Sequence, residues 1–113
     1  MNYAIVTTES FVKGVIPLAK KYRSIFDDLE NLKKELIENP TTGADLGNNI
    51  RKVRMAIASK NKGKRGGARV ITCNVLIDVV NTKIYLLAIY DKSERTSMSK
   101  KEIEELRKKN GLL

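Results

Sequence analysis

The sequence predicts an α+β fold: a mainly antiparallel four-stranded sheet, two N-terminal helices packed on one face, and a short C-terminal helix, in the order β-α-α-β-β-β-α. Three observations predict it. Apolar residues between 25 and 37 recur at three and four positions, residues 50–90 carry three β-rich runs separated by turn residues, and Ser99 to Glu102 reads as a helix start. Helices followed by a three-strand meander bury their apolar faces most simply by stacking on one side of the sheet. A chain of 113 residues is expected to form one domain, residues 1–113, around a modest core.

Tyr3 to Thr7 alternates well enough for a short strand. Glu9 and Ser10 then precede a helical pattern with Phe11, Val12, Val15, Ile16, Ala19 and Tyr22 along one side. Gly14 and Pro17 disfavour a helix interior, and Pro17 removes a backbone bond, so this helix is expected to be short or kinked. The second helix is clearer: Ile25, Phe26, Leu29, Leu32, Leu36 and Ile37 form its apolar side. Asp27 and Asp28 suit the positive end of its dipole, and Asn39-Pro40 ends it.

Thr41 to Asn49 reads as a connecting loop. Ile50 to Ile57 is a strand in which Val53, Met55 and Ile57 point one way while Lys52 and Arg54 point the other. Ser59 to Gly67 is expected to be a flexible basic hairpin tip. Ala68 to Ile77 is strongly β-branched, Asp78 to Thr82 turns, and Lys83 to Tyr90 is too apolar for an exposed edge. Ser99 and Glu102 form a capping box that opens a last helix, stopped at Gly111.

Charge is the most informative feature. Between Leu46 and Ile77 lie eight cations and no carboxylate: Arg51, Lys52, Arg54, Lys60, Lys62, Lys64, Arg65 and Arg69. The net charge is +9, so the rest of the chain sums to only +1. A local basic excess attracts a polyanion, most often the phosphates of a nucleic acid; its bland counterpart is a solvated basic face. Like charges on neighbouring strands destabilise a sheet unless an anion sits between them, which makes the cluster a candidate site.

Other classes fare worse. One cysteine and no histidine exclude a zinc centre, and no metal or cofactor is expected. Cys73, inside VITCNVLI, reads as a buried small hydrophobe. No apolar run approaches the ~20 residues that cross a bilayer, so no membrane role is expected. The first residues lack a secretory pattern, and the cytoplasm is the expected compartment.

Cleavage of RNA by its own 2′-hydroxyl needs a base, cations for the phosphorane charge, and an acid for the leaving 5′-oxygen. Histidine is absent, but crowded lysines fill the gap, because neighbouring positive charge lowers a lysine pKa. Tyr90 is a second proton carrier, although it also reads as a sheet-packing residue. Arg69 suits charge stabilisation, since its fork matches phosphate.

The segments YRSIFDDLENLKKELIENPTTGADLGNNIRKVRMA, KGKRGGARVIT and IYLLAIYDKSE resemble the RelE/ParE superfamily of bacterial type II toxins, closest to the RelE and HigB-type mRNA interferases. The likeness runs from about residue 3 to residue 108. It implies a RelE-like toxin that enters the ribosomal A site and cuts mRNA there, and that a cognate antitoxin holds inactive. Carried over by position, Lys52 and Arg54 match basic residues of a strand, Arg69 matches the arginine on the scissile phosphate, and Lys92 matches a basic position ending the last strand. Tyr90 lies near the family's C-terminal tyrosine. Where other members carry an arginine, this chain has Ser93, with Arg95 the nearest cation. Catalytic candidates are thus Arg69, Arg54, Lys52, Lys92 and Tyr90; RNA-binding candidates are Arg51, Lys60, Lys62, Lys64, Arg65 and Arg95.

Two other readings stay open. One is a non-enzymatic inhibitor of DNA gyrase like the ParE branch, distinguished by whether expression stops DNA replication or translation. The other is a nucleic-acid-binding module without activity. The antitoxin is expected to cover the basic sheet face or to displace the C-terminal helix, Ser99 to Lys109.

Overall fold

The computed structural model describes residues 1–112. Its elements are β1 (Asn2–Thr7), α1 (Glu9–Lys21), α2 (Ile25–Glu38), β2 (Ala44–Gly47), β3 (Ile50–Met55), β4 (Ala68–Leu76), β5 (Asn81–Asp91) and α3 (Lys100–Lys109), with a 3₁₀ turn at Ala58–Lys60. The α+β class and the helix order match the expectation. The sheet has five strands rather than four, in the order β1-β5-β4-β3-β2, and it is mixed, because β1 runs parallel to β5.

The additional strand is β2, within the stretch read as a loop. It pairs antiparallel with β3 through Asn48 and Asn49, which take φ of 54° and 63°. Two consecutive positive φ values make the tight turn whose twist suits a hairpin, and asparagine tolerates them better than most residues. Four residues with exposed side chains leave no apolar alternation to read, so composition alone hid the strand.

Helix α1 is not short. It runs thirteen residues with Pro17 inside. Thr8 caps it, its hydroxyl accepting from the Phe11 N–H. Pro17 stands on the exposed side, and the face that packs is Phe11, Val15, Leu18 and Tyr22, while Val12 and Ile16 face outward. The apolar stripe is therefore rotated toward Leu18 from the expected one. Helix α2 buries Ile25, Leu29, Leu32 and Leu36 and exposes Phe26 and Ile37.

These two helices cover one sheet face, packing on Val53, Met55, Val70, Ile84 and Leu86. On the other face Ile50, Ile71, Cys73 and Leu87 form a smaller core beneath Ile103 of α3. Helix α3 begins with the expected capping box between Ser99 and Glu102. It covers only part of its face, so the end of the sheet near Arg54 stays open. Cys73 is buried, as expected, and burial pushes its thiol up.

Candidate nucleic-acid interface

Strand register builds the site. Arg54 stands opposite Arg69 across β3 and β4, and Arg69 stands opposite Tyr90 across β4 and β5. One row of three side chains thus crosses three strands. Lys52, two residues before Arg54, shares its face by the alternation of a strand. That face is the one carrying α3, since Ile50 packs under α3 while Val53 packs under α1 and α2. Beside Arg54 and Arg69 opens a groove of about 680 Å³, lined by Lys52, Arg54, Lys64, Arg65, Arg69 and Lys92, with Glu35 as the one carboxylate in its wall; Tyr90 lies outside this lining.

Arg69 is 5 % exposed and forms no ion pair among the described residues. Its guanidinium donates instead to backbone carbonyls: Nη1 to Lys64 (3.2 Å) and Ala68 (3.1 Å), Nη2 to Arg65 (2.9 Å). Carbonyls orient the fork without cancelling its charge. Burial first, and then the Arg54 charge, lower the Arg69 pKa from its ordinary value. A buried cation facing a second cation, with no counter-charge, is an arrangement that an entering anion relieves.

The chain returns to these carbonyls through a close backbone approach. A Cβ at Gly67 would collide with the Met55 carbonyl oxygen, so glycine lets the strand restart directly against β3. The Gly67 carbonyl also accepts from the Lys92 N–H at 3.0 Å, which ties this turn to the end of β5.

Tyr90 is buried, and its hydroxyl has no hydrogen-bond partner; the Met98 backbone is nearby but outside bonding geometry. Burial pushes the phenol up, opposed by the Arg69 and Arg95 charges, so it keeps its proton at neutral pH. The Arg95 guanidinium lies 5.7 Å from the Tyr90 ring centroid. Glu102 holds that arginine, accepting from Nη2 at 2.6 and 2.7 Å. The pair and the helix cap bring the Glu102 carboxyl down to about 2.

The sequence candidates divide accordingly. Lys52, Arg54, Arg69 and Tyr90 come together on one face, with Lys64, Arg65 and Lys92 around the groove. Arg51 does not join them. Strand alternation turns it to the opposite face, where Nη1 donates to the Thr41 carbonyl at 2.9 Å and Asp45 lies 3.8 Å away. Lys60 is not a mobile tip cation either. Its ammonium is 2.7 Å from the Asp91 carboxylate and also donates to Ser93. Lys64 is paired with Glu35 at 3.0 Å, and Lys62 is exposed outside the groove wall.

Asp91 is the residue sequence reasoning missed most completely. Its carboxylate accepts from Lys60, Ser93 and, at 2.6 Å, from the Tyr22 hydroxyl. Burial alone would raise its pKa, but these donors hold it well below the usual carboxylate range. Asp28 was missed in the same way: it caps the Ala58 N–H rather than merely facing the helix dipole. Both acids flank the cation-rich segment in space though not in sequence, and their one sequence trace is a carboxylate beside an apolar run.

Among the described residues no three His, Cys, Asp or Glu side chains cluster as a metal site. No helix is long and apolar enough to cross a membrane. The architecture and the open basic groove define a small α+β protein built around an anion-attracting sheet end. The family model described as RelE toxin of the RelE / RelB toxin-antitoxin system matches residues 17–113, and the chain belongs to the RelE toxin family. Membership makes it a toxin with an antitoxin as counterpart.

Proposed function

We propose that this toxin is a ribosome-dependent endoribonuclease that cuts mRNA in the A site through attack of the 2′-hydroxyl on the adjacent phosphate. The observation that carries the reading is the row Arg54–Arg69–Tyr90, two unneutralised guanidiniums beside a protonated, unpartnered phenol. Arg54 and Arg69 hold the non-bridging oxygens and take up the charge of the phosphorane. Lys52, on the same face, accepts the 2′-hydroxyl proton when its side chain is the free amine, and becomes the ammonium. Tyr90, which burial keeps protonated, delivers a proton to the leaving 5′-oxygen and is left as a phenolate beside the Arg69 charge. Arg65 and Lys92 draw the flanking phosphates into the groove.

The products follow from the atom balance. The 2′-oxygen bonds to phosphorus, the P–O5′ bond breaks, and the fragments end in a 2′,3′-cyclic phosphate and a 5′-hydroxyl. The test is cleavage of mRNA on programmed ribosomes by the wild type and by Arg69→Ala, with ribosome-free RNA as control. Cleavage confined to the ribosome, and lower by two orders of magnitude or more in the variant, supports the reading. A folded wild type that leaves ribosomal mRNA intact overturns it in favour of a non-enzymatic target such as DNA gyrase.

A further inference from the structure

We propose that Glu35, on α2, is a positioning residue for Arg69 and that its pairing with Lys64 withholds that lysine from RNA. The inference rests on the cleavage reading above but concerns a residue outside the row. Glu35 is the one carboxylate in the wall of a groove whose other charged residues are all cations. Its two oxygens accept from the Lys64 ammonium at 3.0 and 3.2 Å.

The partner's backbone is what gives the contact its consequence. The Lys64 carbonyl accepts from Arg69 Nη1 at 3.2 Å, and the neighbouring Arg65 carbonyl accepts from Nη2 at 2.9 Å. The side chain of Lys64 thus anchors to α2 while its main chain orients the fork of Arg69. The same segment is closed by Gly66 N–H to Lys62 and Gly67 N–H to Lys64, at 3.3 and 3.4 Å, both long hydrogen bonds. Weak internal closure makes the outside tether to α2 matter. Helix α2 is itself fixed by the burial of Leu32 and Leu36 on either side of Glu35.

An exposed ion pair of this kind contributes little to global stability. Its effect is local: it selects one arrangement of residues 61–66, and with it one orientation of Arg69. The pair also removes a cation from the RNA-facing surface. Loss of Glu35 therefore has two opposite effects, weaker chemistry and stronger nonspecific binding. A residue needed only for folding would weaken both.

The experiment compares wild type, Glu35→Gln and Lys64→Arg in three measurements. The glutamine variant keeps the side-chain shape without the charge, and the arginine variant keeps the pair. For Glu35→Gln, single-turnover cleavage on ribosomes is expected to fall about fivefold. Binding of free single-stranded RNA is expected to tighten, and its log–log salt dependence to steepen by about 0.7, the slope of one further phosphate contact on a single strand. The third measurement, nitrogen NMR of the Arg69 guanidinium, needs no activity: separate Nη signals from a held fork in the wild type should average in Glu35→Gln. Lys64→Arg, which keeps the pair with Glu35, is expected to keep the separate Arg69 Nη signals that Glu35→Gln loses. Unchanged Arg69 signals, or RNA binding that weakens, would overturn the proposal. A wild type that fails to cleave would overturn the nuclease reading, while the NMR result would still decide the positioning of Arg69.

Discussion

Arg54 and Arg69 face each other as direct partners across β3 and β4, and neither forms an ion pair among the described residues. A directly opposed like-charged pair destabilises a sheet by a few tenths to about 1 kcal/mol. Nothing in the core requires it, since Ala68 and Val70 on the reverse of β4 pack without it. The repulsion stays latent until an anion enters, and then it becomes affinity.

Inorganic phosphate should therefore stabilise the protein. At ten times its dissociation constant the gain is roughly 1.4 kcal/mol, a rise of several degrees in melting temperature for a domain of this size. Arg54→Gln should lose most of that gain and yet, at low salt, melt slightly above the wild type because the repulsion is gone. Thermal melts with and without phosphate check this. An undiminished phosphate shift in the variant would place the anion elsewhere.

Tyr90→Phe separates chemistry from stability. The hydroxyl is buried without a partner, so its removal leaves no unsatisfied group behind. Stability should stay within about 0.5 kcal/mol of the wild type or rise, by urea titration. Ribosomal cleavage should fall by about 10²–10⁴, the scale of a lost proton donor. Equal cleavage by both proteins would remove Tyr90 from the mechanism.

The Lys60–Asp91 pair should set the acid limit of the fold. The Asp91 carboxyl is fully buried and its folded-state pKa is depressed. Its contribution is therefore present above the ordinary carboxyl value of about 4 and is lost as pH falls below that. Lys60→Met removes the nearer of two ammoniums and leaves the buried carboxylate with Lys21 at 3.8 Å. The cost should be about 3 kcal/mol at most, the low end for a buried charge that loses its partner. In that variant burial dominates, the Asp91 pKa rises, and acid unfolding starts at higher pH. Adding Asp91→Asn should return part of the loss. Melts from pH 3 to 7 would decide it, and identical acid midpoints in wild type and Lys60→Met would contradict the assignment.

Much of the fold was legible because burial leaves periodic traces. Leu29, Leu32 and Leu36 announce α2, and Ser99 with Glu102 announces α3. Strand β2 left no such trace, since its residues face solvent; the Asn48-Asn49 pair was its one readable sign. At the site, the cations and the shared face of Lys52 and Arg54 were legible, and their register against Arg69 was not. Whether Arg51 or Arg54 joins Arg69 depends on alternation and register, and a shift of one residue exchanges the two faces. That Lys60 turns inward to Asp91 and Lys64 to Glu35 depends on contacts across 31 and 29 residues, beyond any local pattern.

The measurement that bears most directly on the proposed chemistry is single-turnover cleavage of ribosome-bound mRNA carrying a 2′-deoxy nucleotide at the scissile position. Attack by the 2′-hydroxyl predicts that the deoxy message stays intact while the all-ribose message is cut to a cyclic phosphate and a 5′-hydroxyl. Cleavage of both at similar rates would contradict it, because the nucleophile would then have to come from water or from the protein.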